Sequence, residues 1–285
     1  MYIPLWQIGL DIQSNSVRSV ALQRRRYGWQ LRHWWQSPLP ENTFRDESLH
    51  HSAYLIPIIQ HWRRSLPRHF SLRVALPAPC VLQQILPVPA QNLDQEAMGW
   101  HVESQLGKWF PLGGQAVAVD YRHHLQEPDS LYVTVTRQEE VDRWMSCLAA
   151  AELVPQVIDI TPCALRTVAK AAGVNPSSLL IHRGDSHLLW VSPQDQPLVF
   201  GVLPITEPDV ALQIAAAKEA YRKVSGLETV TTSYSSTAEN DRQTLGSETL
   251  FSPFRAIQQV QPPLPRCDSA YALAAGLALR SDDQV

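Results

Sequence analysis

The sequence predicts a mixed α/β protein of two lobes, with a small βαββα module inserted into the first lobe. Short strands with alternating apolar residues form hairpins that are followed by helical patterns, and this order occurs twice. Between the two occurrences lies a self-contained strand-helix-strand-strand-helix pattern. With 285 residues, 45% of them hydrophobic, the chain can bury a core in each lobe.

The first lobe opens with a predicted three-stranded meander. Its strands are residues 5–12, residues 17–24 and a stretch from the 25–28 hairpin to Trp35. Strand alternation predicts that Trp29 and Trp35 share one face of the sheet and pack into the core. A helix is predicted around residues 55–66, with Pro57 in its first turn, because a proline deeper in a helix removes a backbone hydrogen bond. A strand over 72–76 follows.

The inserted module contains an amphipathic helix with Met98, Val102, Leu106 and Trp109 on one face. Extended segments over 81–88, 116–121 and 131–136 supply its strands. The predicted boundaries are 1–76 and 156–177 for the first lobe, 77–155 for the module, 178–265 for a reduced second lobe, and 266–285 for a C-terminal helix that returns to the first lobe.

The second lobe begins with two apolar strands turned by Arg183-Gly-Asp-Ser186. A further strand at 197–203, a helix through Val210, Ile214 and Tyr221, and a β-branched strand at 229–234 complete its pattern. Residues 235–247 are polar and read as a loose excursion.

Composition and charge exclude some classes of protein. The chain has no run of 18 apolar residues and no leader pattern, so we expect a cytosolic protein that reaches a membrane through a partner. Its four cysteines lack the spacing of a disulfide framework or a zinc site, and no metal site is expected.

Residues 1–73 hold ten arginines against four acidic residues, although the net charge of the whole chain is -3. Nucleic acid therefore stays a candidate partner.

Several stretches carry a resemblance to a known family. Residues 8–20 read Ile-Gly-Leu-Asp-Ile-Gln-Ser-Asn-Ser-Val-Arg-Ser-Val, and residues 105–111 read Gln-Leu-Gly-Lys-Trp-Phe-Pro. Residues 148–165 contain Ala-Glu-Leu-Val-Pro-Gln-Val-Ile-Asp, and residues 272–280 form a small apolar helix. In this order, the stretches resemble the PilM family of type IV pilus and DNA-uptake assembly proteins. Within that family the chain looks most like the short HofM-type branch, which is associated with use of extracellular DNA.

The resemblance implies an actin-like, FtsA-like ATPase fold. It also implies a scaffold beneath the inner membrane that binds the cytoplasmic tail of a PilN-like bitopic membrane protein, in a cleft between the first lobe and the module. Exposed aromatic residues are common anchors for peptides, so Trp100, Trp109 and Phe110 are candidate contacts. Trp109 also fits the core of the module.

The same resemblance implies a nucleotide site between two hairpin turns. In this fold the turns hold phosphates with backbone N–H groups, and a carboxylate at each turn helps to hold Mg²⁺. Here Gln13 replaces the usual glycine of the first turn, and His182 stands at the carboxylate position of the second, with Asp185 as a nearby substitute. The positions matched to the nucleotide site are Asp11, Gln13, Ser14, Asn15, Ser16, Gly184, Asp185 and Gly276.

These departures predict that binding of ATP and Mg²⁺ is weak or lost, and no catalytic residue is assigned. Asp11 fits an Asx-turn acceptor as well as an Mg²⁺ ligand. Two other functions stay open: a working ATPase of the same fold, and a DNA-binding module that uses the basic N-terminal region.

Overall fold

A computed structural model describes residues 5–45, 48–89, 93–109, 116–123, 129–206, 209–227, 230–239, 241 and 249–281. The chain forms two compact units, residues 79–146 and the remainder on either side of them. No helix within these described ranges is long and apolar enough to cross a membrane.

The predicted helices and strands occur in the expected order, and three two-residue strands that the sequence did not predict are added at Phe44–Arg45, Ser48–Leu49 and Thr249–Leu250. The strands are β1 (Trp6–Ile12), β2 (Ser16–Arg25), β3 (Gly28–Pro38), β4 (Phe44–Arg45), β5 (Ser48–Leu49), β6 (Phe70–Leu76), β7 (Val81–Pro87), β8 (Val117–His123), β9 (Ser130–Arg137), β10 (Pro155–Ile160), β11 (Leu179–Arg183), β12 (His187–Val191), β13 (Phe200–Pro204), β14 (Thr232–Ser236) and β15 (Thr249–Leu250). The helices are α1 (Ser52–Arg63), α2 (Gln95–Trp109), α3 (Gln138–Ala150), α4 (Thr161–Ala171), α5 (Val210–Ser225) and α6 (Ala272–Leu279).

Two five-stranded sheets share one topology. The first has the order β10-β6-β1-β2-β3 and the second the order β15-β14-β11-β12-β13. In each sheet the central strand pairs in parallel with one neighbour and forms an antiparallel hairpin with the other. The β1–β2 and β11–β12 hairpins are therefore equivalent. The second sheet ends in the two-residue strand β15, in keeping with a reduced second lobe.

Helix α6 packs tightly against both the first sheet and helix α4. A Cβ atom added to Gly9 of β1 would lie 1.9 Å from the carbonyl oxygen of Ala274, and one added to Gly276 would lie 2.0 Å from that of Ala164. The two glycines allow this close approach, since any side chain would overlap backbone atoms. The chain's last described helix thus forms part of the core around β1 and β2.

The prediction that Trp29 and Trp35 share a face of the sheet is wrong. The pairing of β2 with β3 shifts register between Ala21 and Leu22, where Arg32 is the extra residue of a β-bulge. Because a one-residue insertion reverses the direction of every later side chain, Trp29 and Trp34 pack against the same core. Trp35 instead stacks on Trp62 of α1, with ring centroids 5.4 Å apart.

Helix α1 differs from its prediction at its start. It begins at Ser52, so Pro57 lies in the second turn rather than the first. The ring removes one backbone hydrogen bond there. Burial of Leu55, Ile59 and Trp62 along one face stabilises the helix despite this loss.

The module within residues 79–146 has a three-stranded antiparallel sheet with the order β7-β9-β8. Helix α2 buries Met98, Val102 and Leu106 against Val133 and neighbouring residues of this sheet. The spacing predicted from the sequence is confirmed for these three residues. The side chain of Trp109 is outside the described part.

Candidate functional site

Two equivalent turns meet at the end of strands β1 and β11. The first turn, residues 13–15, is closed by a 2.9 Å hydrogen bond from the Gln13 N–H to the Ser16 carbonyl. The second turn, residues 184–186, is closed in the same way by a 2.9 Å bond from the Gly184 N–H to the His187 carbonyl. The structure therefore brings the two sequence-predicted turns together.

The side chain of Gln13 bridges the two turns. Its Nε2 donates a 2.8 Å hydrogen bond to Oδ2 of Asp11, and its Oε1 accepts a 3.0 Å bond from the backbone N–H of Asp185. A Cβ atom at Gly184 would lie 2.9 Å from the same Oε1, so glycine gives the amide room to approach. The Asp11 carboxylate and the Asp185 N–H, which could otherwise bind Mg²⁺ and a phosphate, are thus both hydrogen-bonded to Gln13.

Asp185 is committed to the first lobe rather than available as a metal ligand. Its carboxylate accepts a 2.5 Å hydrogen bond from Ser16 Oγ and a 3.3 Å bond from Nη2 of Arg18. The side chains of Arg18 and Asp185 are only 4% and 9% exposed, so they form a largely buried ion pair between the two lobes.

Arg18 belongs to this site, although the sequence analysis does not single it out. It lies on β2 directly opposite Asp11 of β1. The sequence contains a signal for it, because Arg18 lies in the predicted strand 17–24 close to the apolar residues Val17 and Val20. A buried guanidinium requires a partner of opposite charge.

The carboxylate of Asp11 is harder to ionise than usual. Burial raises its pKa to about 6, and this rise persists although Arg18 and the Gln13 hydrogen bond favour the charged form. Mg²⁺ would require the ionised form.

His182 is buried and neutral at physiological pH. Its Nδ1 lies 2.8 Å from Oγ of Ser235. Burial, together with the charges of Arg18 and His187, lowers its pKa to about 3. The neutral ring leaves the second turn without a carboxylate at this position. Its Nε2 atom is buried with no hydrogen-bond partner in the described part of the chain.

The cavity beside the turns is small. About 20 Å³ is open to the centre of a water molecule, which is room for one or two waters. Ser14 lines the cavity, and its Oγ is buried without a partner among the described residues. The lining residues are Asp11, Ile12, Gln13, Ser14, Phe44, Pro77, Thr161, His182, Gly184, His187, Leu189 and Leu273.

The remaining matched positions lie outside the cavity lining. Asn15 is exposed at the tip of the first turn, while Ser16 is buried and bound to Asp185. Gly276 lies inside helix α6 at its contact with Ala164. The structure thus brings Asp11, Gln13, Ser14, Ser16, Gly184 and Asp185 together.

The residues present do not fit Mg-ATP. Gln13 bridges the gap between the turns, and the Asp185 carboxylate pairs with Arg18. Across the described residues, no group of three or more His, Cys, Asp or Glu side chains could hold a metal ion.

The candidate partner contacts lie in the inserted module. Trp100 of α2 is 68% exposed. The side chain of Trp109 and the whole of Phe110 fall outside the described residues.

Comparison with known proteins connects this architecture to a family. Residues 9–178 match the family described as Type IV pilus assembly protein PilM. The chain is also 25% identical over 284 residues, 98% of both chains, to the DNA utilization protein HofM of Escherichia coli K12.

Solved structures share the fold. The chain superposes with a TM-score of 0.73 on a structure described as the PilM-PilN type IV pilus biogenesis complex, at 21% identity, covering 95% of this chain and 97% of that one. It superposes with a TM-score of 0.54 on the cytoplasmic domain of EpsL, an inner-membrane component of the type II secretion system of Vibrio cholerae, at 10% identity with 94% and 93% covered. The fold is that of the actin-like ATPases, and the chain belongs to the PilM family of type IV pilus assembly proteins.

Proposed function

We propose that this protein is a cytoplasmic scaffold of a type IV pilus-like or DNA-utilisation assembly, and that it works without nucleotide. The observation that carries the proposal is the PilM family match over residues 9–178, which runs from β1 through the inserted module to the end of the first lobe. The match to HofM along nearly the whole chain favours the DNA-utilisation branch.

The proposed partner is the cytoplasmic N-terminal tail of a PilN-like inner-membrane protein. The structure described as a PilM-PilN complex supports this choice, because its superposition on this protein covers 95% of this chain and 97% of the matched chain. Such a tail would attach the scaffold to the inner membrane from the cytoplasmic side. Trp100 is the first contact to test, since large exposed aromatic residues often anchor bound peptides.

The proposal excludes a role for ATP as a required ligand. The Gln13 side chain already satisfies the Asp185 N–H, and Asp11 accepts from the same amide. A phosphate would have to displace both bonds and compete with a buried ion pair. We therefore favour a scaffold over a working ATPase.

Partner binding is tested by titrating the purified protein with a synthetic tail peptide of the PilN-like protein from the same organism. Fluorescence anisotropy should show saturable binding, and Trp100→Ala should weaken it roughly fivefold or more. Leu212→Ala is the matched control, because Leu212 is also an exposed apolar residue but lies on α5. Absence of saturable binding to the folded protein would overturn the proposed partner.

Nucleotide independence is tested by calorimetric titration with Mg-ATP. We expect no saturable heat from the native protein. Saturable binding that disappears in Asp11→Ala would show that the site still functions. That outcome would overturn nucleotide independence and leave the partner proposal standing.

A further inference from the structure

One end of the first sheet gathers arginines and exposed apolar side chains. The register places the start of β1 beside the start of β6 and the end of β2, because Trp6 pairs with both Phe70 and Gln23. Strand β10 also starts at this end, where Pro155 pairs with Leu72. We call this end the basic rim and define it by the residues that flank these strands: Leu5, Arg24, Arg25, Arg26, Tyr27, Arg68 and Val154.

The arginines of the hairpin tip carry uncompensated charge. Arg24, Arg25 and Arg26 are all exposed, and none of them forms an ion pair with a described residue. Their contacts are with neutral groups. Arg24 lies over Trp29 at 5.2 Å, Arg26 lies over Tyr27 at 5.5 Å, and Arg25 donates to Gln30.

Apolar side chains are exposed at the same end of the sheet. Tyr27 is 72% exposed at the tip of the hairpin, Val154 is 66% exposed before β10, and Leu5 is 48% exposed before β1. Single exposed apolar residues are ordinary, but here three of them lie at the end of the sheet that also carries these arginines. Glu152, also exposed, adds one carboxylate near Val154. Arginines beside aromatic and aliphatic residues are typical of protein surfaces that meet lipid headgroups.

The aromatic contacts favour lipid over single-stranded nucleic acid. A protein that binds single strands needs open aromatic faces on which bases stack. In this region guanidinium groups lie over the rings of Trp29, Tyr27 and Trp6, the last of them covered by Arg32 at 5.4 Å. Contact with headgroup phosphates needs only the positive charges and leaves these stacks intact.

We propose that the basic rim binds the surface of a bilayer that contains anionic phospholipids. Strand β1 runs from the rim at Trp6 to the Asp11–Gln13 turn, which is about 20 Å at strand spacing. Binding through the rim would leave the two turns directed away from the membrane. The proposal goes beyond binding of a partner tail, because it requires no second protein.

The test is flotation of the purified full chain with protein-free vesicles. One set of vesicles is phosphatidylcholine alone, and the other also contains phosphatidylglycerol as the anionic component. We expect binding only to the second set, with a fall in affinity as sodium chloride is added. The variant R24Q/R25Q/R26Q should lose roughly a hundredfold in affinity, at about fivefold per arginine.

The matched control is K218Q/R222Q/K223Q, which removes three positive charges from α5 in the second lobe. It should bind vesicles as the native protein does. Equal losses in the two variants would overturn the rim as the site, and so would equal binding to both kinds of vesicle or to neither. A separate titration with duplex DNA tests whether the arginines bind nucleic acid instead of lipid. Tighter binding to DNA than to anionic vesicles, lost in the same arginine variant, would overturn the choice of lipid.

Discussion

Gln13 and Asp185 lie 172 positions apart in the sequence, and the backbone N–H of Asp185 donates a 3.0 Å hydrogen bond to Oε1 of Gln13. One side chain of the first lobe thereby satisfies a turn amide of the second. The other end of the same amide group donates to Asp11. The bridge links the two turns through two hydrogen bonds, and it should contribute to stability.

Gln13→Gly should lower the free energy of unfolding by about 2 to 4 kcal/mol. The change removes two hydrogen bonds, one of them to a carboxylate, and adds a flexible residue to the turn. The change in the free energy of unfolding is measured by urea denaturation, with tryptophan fluorescence as the signal. Asn15→Gly is the control, since Asn15 is exposed in the same turn and its side chain bonds to no described residue. It should cost about 1 kcal/mol or less; equal losses would show that turn flexibility accounts for the effect.

Asp185→Asn should destabilise the protein by about 3 to 5 kcal/mol, because it leaves the Arg18 charge buried without its carboxylate. The double variant R18M/D185N should recover much of this loss. Both are compared with Glu219→Gln, which breaks the exposed pair of Glu219 with Arg222 and should cost less than about 1 kcal/mol. The interpretation as a buried ion pair would fail if Asp185→Asn cost no more than Glu219→Gln.

Asp11 and His182 should have opposite effects on stability between about pH 4 and pH 6. The pKa of Asp11 is raised from 3.8 to about 6, so in this range the folded state holds a proton that the unfolded state has lost. Stability from Asp11 therefore falls as the pH rises. The pKa of His182 is lowered from 6.5 to about 3, so the unfolded state holds the extra proton and stability rises with pH. The two effects offset each other in the native protein.

Single substitutions should reveal each effect. In Asp11→Asn the His182 effect remains, and the free energy of unfolding should fall by about 1.4 kcal/mol for each pH unit from pH 6 to pH 4. In His182→Asn the Asp11 effect remains, and the free energy of unfolding should rise by a similar amount for each unit as the pH falls from 6 to 4. Urea titrations at several pH values measure both slopes. Parallel profiles for the two variants would contradict the assignment.

Gly276→Ala should destabilise the protein by about 3 kcal/mol or more, since the new methyl group would overlap the backbone of Ala164. Gly107→Ala is the matched control in helix α2, where an added Cβ meets nothing within 4 Å. That change should be neutral or raise stability by up to about 1 kcal/mol. Thermal unfolding of the two variants gives the comparison. A melting temperature for Gly276→Ala at or above that of the native protein would contradict the close packing of α6.

Local pattern was sufficient for much of the fold. The hairpin around Gln13, the turn at Gly184 and the buried stripe of Met98, Val102 and Leu106 depend on nearby residues, and the sequence places all three correctly.

Local sequence patterns could not predict contacts between residues that are distant in the chain. Nothing near Arg18 indicates that its carboxylate comes from Asp185, and the role of Gly276 depends on how closely two helices approach. The bulge at Arg32 reverses the faces of β3 without leaving a glycine or proline to mark it. Each of these features is decided by tertiary packing, which is why alternation placed Trp35 on the wrong side.

The packing of α6 sets an order on biosynthesis. Strand β1 leaves the ribosome before helix α6, yet Gly9 is covered by this helix, which begins at Ala272. The first lobe therefore completes its core only after the second lobe and the inserted module have been translated. Until then the first sheet exposes an apolar face. The nascent chain should therefore depend on chaperones for longer than a protein in which each domain folds as soon as it has been synthesised.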